Sequence, residues 1–581
     1  MLPPSTPSNN LPNLSKTGNS FIMRTLSHLV YHHYQTNPQK TVFILQQAGQ
    51  NDLTISYREL LAGAARYARA YAKEGINPGE VVILILQHGE DLVYSFWGAI
   101  LYGAIPSVMP FLTEKLSPER YRADLSTLVS ITKPAGIVTY PDFEPEVRDA
   151  LAPGDSVRSV IVAAPIELVA EPELASLPGF TQTPSDIAVL QHSSGTTGLQ
   201  KGVALSHQAV LNQLDEYTKT LRLTADDVVV SWLPLYHDMG LIAGFLMPVL
   251  AGISLILMSP FDWVRAPARL FQAVSRYGAT LSWLPNFAYN FCAQKVRDRD
   301  LEGVDLSSWR TITNCSEPVR WESHQAFYER FKPYGLKDTA LHCSYAMAEN
   351  VFVVTQTGPD SPPAIDEIDR ESFMIERIAR PPADGRSTIL IMSSGKPLSN
   401  TRIRILDERG GDLPDRVIGE IVLQSDCMLT GYYNRPDATE QAFRDGWYMT
   451  GDYGYTLAGE VFVVGRKKDM LIIGGKNVYP QDLEVLAYEV AGIHPGRAVA
   501  FGIYDERAGT EELVVVAEVD VDGAEERQRI GDALRQHITK NSAVALRHAH
   551  IVGKNWIIKT SSGKTARSAN REKFLKETSL A

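Results

Sequence analysis

Through the first 350 residues, short β-branched runs alternate with stretches whose apolar positions recur at helical spacing. VVILIL (81–86) is apolar at every position, and EDLVYSFWGAILYGA follows it with helix-like spacing; AGIVTY and SVIVAA continue the alternation. Strands that are apolar on both faces need cover on both faces, so the pattern predicts parallel sheets flanked by helices. Between Gly410 and Val464 the texture changes to short strands and turns, GEIVLQS and GEVFVVG, the pattern of a small β-barrel. After Lys468 it changes again: DMLIIGGKNVYPQDLEVLAYEV, ELVVVAEVD and RIGDALRQHI predict a small α+β domain. The expected fold class is therefore α/β. A large N-terminal domain of helix-covered sheets plus a small β-barrel occupies 23–467, and a small α+β domain occupies 468–581. The boundary falls at GRKKD (465–469), and no internal repeat is visible.

Two segments need separate treatment. The first 20 residues are rich in Pro, Ser and Asn and lack the apolar core of a signal peptide, so 1–22 is expected to be a disordered tail. GLIAGFLMPVLAGISLILMSPF (240–261) runs 22 residues without a charge, the length of a membrane span. Pro248 and Ala251-Gly252 divide it, and its flanks are Asp238 and Asp262 rather than basic residues. The division predicts a buried helix of about three turns, then a buried strand ISLILM, and no transmembrane segment.

Composition narrows the function. The chain has 581 residues, with 67 acidic and 56 basic side chains and a formal charge of −11, which argues against nucleic-acid binding and against anionic membranes. The segment from Lys554 to the C-terminus is an exception, with seven basic and two acidic residues. Such a run reads as a solvated face or as a surface for an acidic partner. The four cysteines, Cys292, Cys315, Cys343 and Cys427, are far apart and form no CxxC pair. That spacing suits neither a disulfide framework nor a zinc site and predicts a reducing, cytoplasmic setting.

QHSSGTTGLQKGV (191–203) concentrates chemistry. Gly195, Gly198 and Gly202 let backbone N–H groups approach a ligand; Ser193, Ser194, Thr196 and Thr197 add hydroxyl donors, and Lys201 adds a point charge. Apolar runs on both sides make it a loop between strands. It is not the common P-loop, because Gln200 precedes Lys201 and Gly202 follows it. Taken alone, the stretch fits a phosphate loop and an ordinary surface hairpin equally well.

Further stretches follow in order: PLYHDMGLI (234–242), NCSEPV (314–319), SYAMAE (344–349), TGDYG (450–454), GRKKDM (465–470) and TSSGKTAR (560–567). The ordered set resembles the adenylate-forming superfamily of acyl-CoA synthetases, luciferases, nonribosomal-peptide adenylation domains and fatty acyl-AMP ligases. The resemblance covers nearly the whole chain after the tail. It implies ATP as substrate, Mg²⁺, and attack of a substrate carboxylate on the α-phosphorus with release of pyrophosphate. It also implies roles for individual residues. Lys201 and the loop residues Ser194, Gly195, Thr196, Thr197 and Gly198 would bind the β- and γ-phosphates, and Glu349 would hold Mg²⁺. Tyr345 would stack on adenine opposite Ser316, Glu317 and Pro318. Asp452, helped by Arg466, would accept the ribose hydroxyls. Lys564 would bridge carboxylate and α-phosphate, His237 would face the acyl substrate, and Lys468 would be the hinge of a mobile C-terminal domain.

Three features resemble the fatty acyl-AMP ligase branch: the entry VLQHSSGTTGLQKGV; the text of PLYHDMGLI, LPNFAYNFC and NVYPQDLE; and the 46 positions from Glu349 to Gly395, more than acyl-CoA synthetases need. The excess, 359–386, resembles that branch's insertion and offers Phe373, Met374, Ile375 and Ile378 as a docking face. The branch implies a fatty acid substrate and transfer to a separate holo acyl carrier protein. The alternatives are an acyl-CoA synthetase and a weakened ATP- or acyl-binding homologue. Ala346 and Cys315 stand where the family usually has glycine, and these departures motivate the last alternative; Ala348 stands where many members have threonine and fits the fatty acyl-AMP ligase branch better.

Overall fold

The structure is a computed structural model and describes residues 25–111, 118–163, 174–192, 201–473, 476–505, 510–542, 544–559 and 565–578. Its spine is a nine-stranded sheet. Six strands run parallel, in the spatial order Thr41–Gln46, Ser254–Met258, Val228–Ser231, Leu281–Leu284, Thr311–Asn314 and Leu341–Ala346. Antiparallel strands close both edges. A second, all-parallel sheet orders Ile105–Val108, Val81–Ile85, Gly136–Thr139 and Ser159–Val162. Val81–Ile85 is buried at all five positions, as expected of an apolar run covered on both faces.

Local chemistry sets the helices. Tyr57–Lys73 starts on a capping box, in which Ser56 Oγ accepts from the Glu59 N–H and the Glu59 carboxylate accepts from the Ser56 N–H. It packs on Glu90–Tyr102 at Gly98, where a Cβ would lie 2.7 Å from the Ala64 carbonyl oxygen; the two backbones approach because no side chain intervenes. The long apolar run is divided as expected. Met239–Leu246 is π-helical and fully buried, Met247–Ala251 continues it as α-helix, Gly252 ends it at φ 75°, and Ser254–Met258 is a core strand. Among the described residues no helix is long and apolar enough to cross a membrane.

The segment expected to be a small barrel is a five-stranded antiparallel sheet. Thr401–Leu406, Gly419–Ser425 and Trp447–Leu457 pair in turn, and both Phe443–Arg444 and Glu460–Arg466 pair with Trp447–Leu457. The pairing branches at this long strand rather than running round a ring. From Leu471 onward the chain builds its own core. Thr510–Glu518 pairs antiparallel with Ala498–Asp505 and parallel with Leu546–Val552, the parallel pair being joined through helix Ala524–Asn541.

The 359–386 segment, expected to be an insertion, packs against both units. Ile365–Asp369 forms a hairpin with Thr388–Met392, and between them Ser372–Glu376 makes a π-helical turn. Phe373 is buried among Ile368, Tyr453, Tyr455, Phe462 and Tyr479. Met374 touches both this cluster and the C-terminal core. Ile378 bridges to Val417. Ile375 is 54% exposed, so the expected docking face loses one of its four members. Near this contact Arg320 donates to the Gln481 carbonyl at 3.4 Å.

The basic C-terminal run is not a free patch. Arg567 is 2.7 Å from Glu484, Arg571 donates to the Gly502 carbonyl, Lys573 to the Trp556 carbonyl, and Lys554 faces Asp520 at 3.5 Å. These four cations have partners within the fold, although Lys554 and Arg571 remain exposed.

Candidate active site

Strand Ile187–His192 pairs antiparallel with Gly202–Ser206. The strands on either side of the glycine- and hydroxyl-rich stretch are thus paired with each other, as its flanks imply. Ser194, Gly195, Thr196, Thr197 and Gly198 lie outside the described residues. Lys201, at the foot of the second strand, sets its Nζ 4.5 Å from the centroid of the Tyr432 ring, a cation–π contact. Tyr432 is held there by sheet pairing: Gly431–Tyr432 adds a third strand against Val203 and Ala204.

The same tyrosine reaches Glu349, its hydroxyl donating to Glu349 Oε1 at 2.9 Å and meeting the Tyr448 hydroxyl at 3.0 Å. Glu349 sits in a single 3₁₀ turn, Ala348–Asn350, at the end of strand Leu341–Ala346. The turn closes sharply. Val351 has φ 62° and ψ −55°, and the Phe352 N–H donates to the Asn350 carbonyl at 2.6 Å, which makes a γ-turn of the rarer hand. A β-branched residue is costly there. The buried Gln213 side chain holds the turn by accepting from the Phe352 N–H at 3.1 Å. Burial pushes the Glu349 carboxyl above the ordinary glutamate range; the Tyr432 hydroxyl and Arg466 oppose the shift, and Asp238 adds to it.

Asp452 and Arg466 face each other across the hairpin of Trp447–Leu457 and Glu460–Arg466, with Arg466 Nε 3.4 Å from Asp452 Oδ1. A register shift between Tyr453 and Gly454 makes this pair. Counting back evenly from the turn pairing Leu457–Glu460 would set Asp452 opposite Gly465, and the bulge moves Arg466 into that place. Tyr345 is buried and donates its hydroxyl to Asp452 Oδ2 at 2.6 Å. The proposed adenine and ribose residues are therefore hydrogen-bonded to each other. Burial, then the charge of Asp452, pushes the Tyr345 hydroxyl pKa well up, so it stays a donor.

The NCSEPV stretch is placed less uniformly. Ser316 is half-buried at φ 72° and its hydroxyl lies 3.9 Å from Met239 Sδ, at the start of the π-helix. Glu317 accepts from the Phe287 N–H at 2.9 Å and so caps helix Asn286–Lys295. Pro318 is exposed. Cys315 is fully buried, so its side chain adds to the core. His237 is half-buried next to Asp238, whose carboxylate accepts from the Met239 N–H at 2.8 Å.

Comparison with known proteins decides the family. A family model described as AMP-binding enzyme matches residues 30–433. The chain belongs to the AMP-binding enzyme family. It is 31% identical over 532 residues to a 4-hydroxyphenylalkanoate adenylyltransferase of Mycobacterium tuberculosis (86% of this chain, 83% of that one). It is 30% identical over 575 residues to the medium-chain-fatty-acid–[acyl-carrier-protein] ligase JamA of Moorena producens, covering 94% of each. A solved structure from studies of fatty acyl-adenylate ligases of E. coli and L. pneumophila superposes with a TM-score of 0.86 at 27% identity, over 96% of this chain and 100% of that one.

In this AMP-binding enzyme the structure gathers Lys201, Glu349, Tyr345, Asp452 and Arg466 through direct contacts or charge interactions. Lys564 lies outside the described residues; Lys468 falls in the 3₁₀ turn Lys467–Asp469, and its side chain lies outside them too. Tyr432, Tyr448 and Gln213 had no signal in the sequence, since each acts on Glu349 from 83 or more positions away in the chain. Among the described residues no group of three His, Cys, Asp or Glu could cage a metal. One carboxylate is nevertheless the protein share Mg²⁺ takes when phosphates and water complete its shell, and Glu349 fits that role.

Proposed function

We propose that the protein activates a fatty acid as acyl-AMP with release of pyrophosphate and passes the acyl group to the phosphopantetheine thiol of a separate carrier protein. The observation that carries the reading is the convergence of Lys201 and Glu349 on Tyr432 next to the Tyr345–Asp452–Arg466 cluster. Both reactants are anions, so the protein's task is to position them and supply positive charge. Lys201 neutralises the departing phosphates, together with the N–H groups and hydroxyls of 193–198. Bound Mg²⁺, held by Glu349, supplies further neutralisation of the phosphate oxygens. Tyr345 presents its ring to adenine, with Ser316 on the opposite side. Asp452, fixed by Tyr345 and Arg466, accepts from the ribose. Lys564 bridges the carboxylate and the α-phosphate.

The fatty acid class is supported by JamA, a medium-chain-fatty-acid ligase, and by the apolar run that follows His237, which lies in a core rich in aromatic rings. Trp232 stacks on Trp263 with centroids 3.6 Å apart, Phe287 meets both rings edge-on, and Phe291 packs on Trp263. Each methylene of an acyl chain that the protein buries is worth about 0.8 kcal/mol, so specificity should rise with chain length until the acyl site is full. Transfer to a carrier protein rather than to CoA is supported by JamA and by the insertion. Met374 lodges between the two units and restrains rotation about Lys468, which transfer to free CoA needs.

The test is mass spectrometry of products from ATP, a panel of fatty acids, and either CoA or holo carrier protein. Acyl-AMP and acyl-carrier protein are expected, with little acyl-CoA. Robust acyl-CoA synthesis would establish an acyl-CoA synthetase instead, and no adenylate from any acid would leave only a binding homologue.

A further inference from the structure

Tyr432 has no part in the chemistry outlined so far, yet it touches the two charged residues on which that chemistry depends. It is 7% exposed. Its backbone is pinned: the Tyr432 N–H donates to Thr439 Oγ1 at 2.9 Å, and the Tyr433 N–H donates to the Gly202 carbonyl at 2.7 Å, next to Lys201. The phenol is thus carried by the strand that completes the phosphate hairpin, while the carboxylate it meets comes from the end of the main sheet.

The hydrogen bonding has a direction. A carboxylate only accepts, so the Tyr432 hydroxyl donates to Glu349 Oε1 and must accept from Tyr448. Tyr448 is 5% exposed and fixed in the long strand opposite Leu423 and Phe443. The result is a relay, Tyr448 to Tyr432 to Glu349, in which each donor strengthens the next. A carboxylate held at one oxygen must break that hydrogen bond to turn about its terminal torsion. Carboxylates that bind metals are oriented in this way by outer hydrogen bonds. Packing alone would be served by phenylalanine; the hydroxyl is there for the carboxylate.

We propose that Tyr432 is a positioning residue that fixes the Glu349 carboxylate for a divalent cation, with Tyr448 behind it. The inference rests on the reading of Glu349 as the residue that holds Mg²⁺. It assigns no reacting atom to either tyrosine.

The variant Tyr432→Phe keeps the ring under Lys201 and removes one oxygen. In the full chain, calorimetry with a non-hydrolysable ATP analogue, with and without Mg²⁺, measures how much the cation tightens binding. Pyrophosphate release titrated with Mg²⁺ gives the activation midpoint. The midpoint is expected to rise about 10–100-fold in Tyr432→Phe. The Mg²⁺-dependent gain in analogue affinity shrinks in step, while affinity without Mg²⁺ and the melting temperature hold. Tyr448→Phe shifts the midpoint the same way by less. In a Glu349→Gln background, adding Tyr432→Phe changes nothing further, since the group it orients is gone. A parental midpoint in Tyr432→Phe beside a shifted one in Glu349→Gln overturns the inference alone. So does an affinity loss equal with and without the cation, which marks a packing role. If Glu349→Gln itself leaves the Mg²⁺ requirement unchanged, the metal reading of Glu349 falls, and the inference with it.

Discussion

Glu349 and Asp482 are both carboxylates whose pKa burial drives upward, and both have arginines opposing that drive. Their surroundings differ. Glu349 is held inside one unit, its carboxylate hydrogen-bonded to Tyr432. Asp482 lies where helix Pro480–Tyr488 meets Arg320 of the large unit and Arg370 of the insertion. Its Oδ2 is buried, with no hydrogen-bond partner among the described residues. A buried charge with a fixed partner suits a site that must keep one geometry. A buried charge opposed mainly through space suits a contact that can open, because separating it returns the carboxylate to water at little cost.

Substitution can push this contrast in both directions. The largest effect is expected from Glu349→Gln, which should slow pyrophosphate release on the order of 10²-fold, as removal of one preorganised electrostatic group does. Full activity at ordinary Mg²⁺ would show that Glu349 resembles Asp482 more than the geometry suggests. Asp452→Asn comes next. It keeps the shape but weakens charge-assisted acceptance, so KM for ATP should rise about tenfold with a smaller change in kcat; steady-state kinetics decides. On the interface side, Arg370→Glu sets an acid against Asp482. The expected result is a few-fold rise in acyl-CoA at high CoA and faster proteolytic separation of the two units, with adenylation unchanged. Product ratios equal to those of the parent would mean that Arg370 does not restrain the C-terminal unit.

The smallest effect is a pH dependence. Because the Asp482 pKa is raised in the folded state, the native protein binds more protons than the unfolded chain between the ordinary aspartate pKa and the raised one. The associated stability is fully present below the ordinary value and is lost as pH rises through the folded value. Asp482→Asn should flatten that part of the melting-temperature profile. An unchanged slope would place the titration elsewhere.

The elements themselves were largely legible. Runs such as VVILIL and ISLILM can only be core strands, and Pro248 with Gly252 was enough to divide the apolar stretch. The candidate site could be nominated from the sequence as a set of residues but not as a set of contacts. Tyr345 meets Asp452 across 107 positions and Glu349 meets Tyr432 across 83, distances over which no local pattern carries information. The facing of Asp452 and Arg466 depends on a one-residue bulge, and a bulge is decided by packing rather than by periodicity. Glu317 has a contact that the motif does not announce: one of its oxygens accepts from the N–H of Phe287, 30 residues earlier in the chain. In the basic C-terminal run, net charge likewise does not reveal which cations already have partners within the fold.

The γ-turn at Val351 ties the working temperature of the enzyme to its core. A buried valine at φ 62° stays there only while its neighbours leave no room to relax. Warming loosens packing gradually, long before the chain melts. Strained backbone is the part that gains most from a looser shell, and Glu349 sits two residues upstream of it. Heat should therefore blunt this protein before it unfolds it, and a variant selected only for a higher melting point will gain little catalytic endurance unless it also tightens the shell around Gln213 and Phe352.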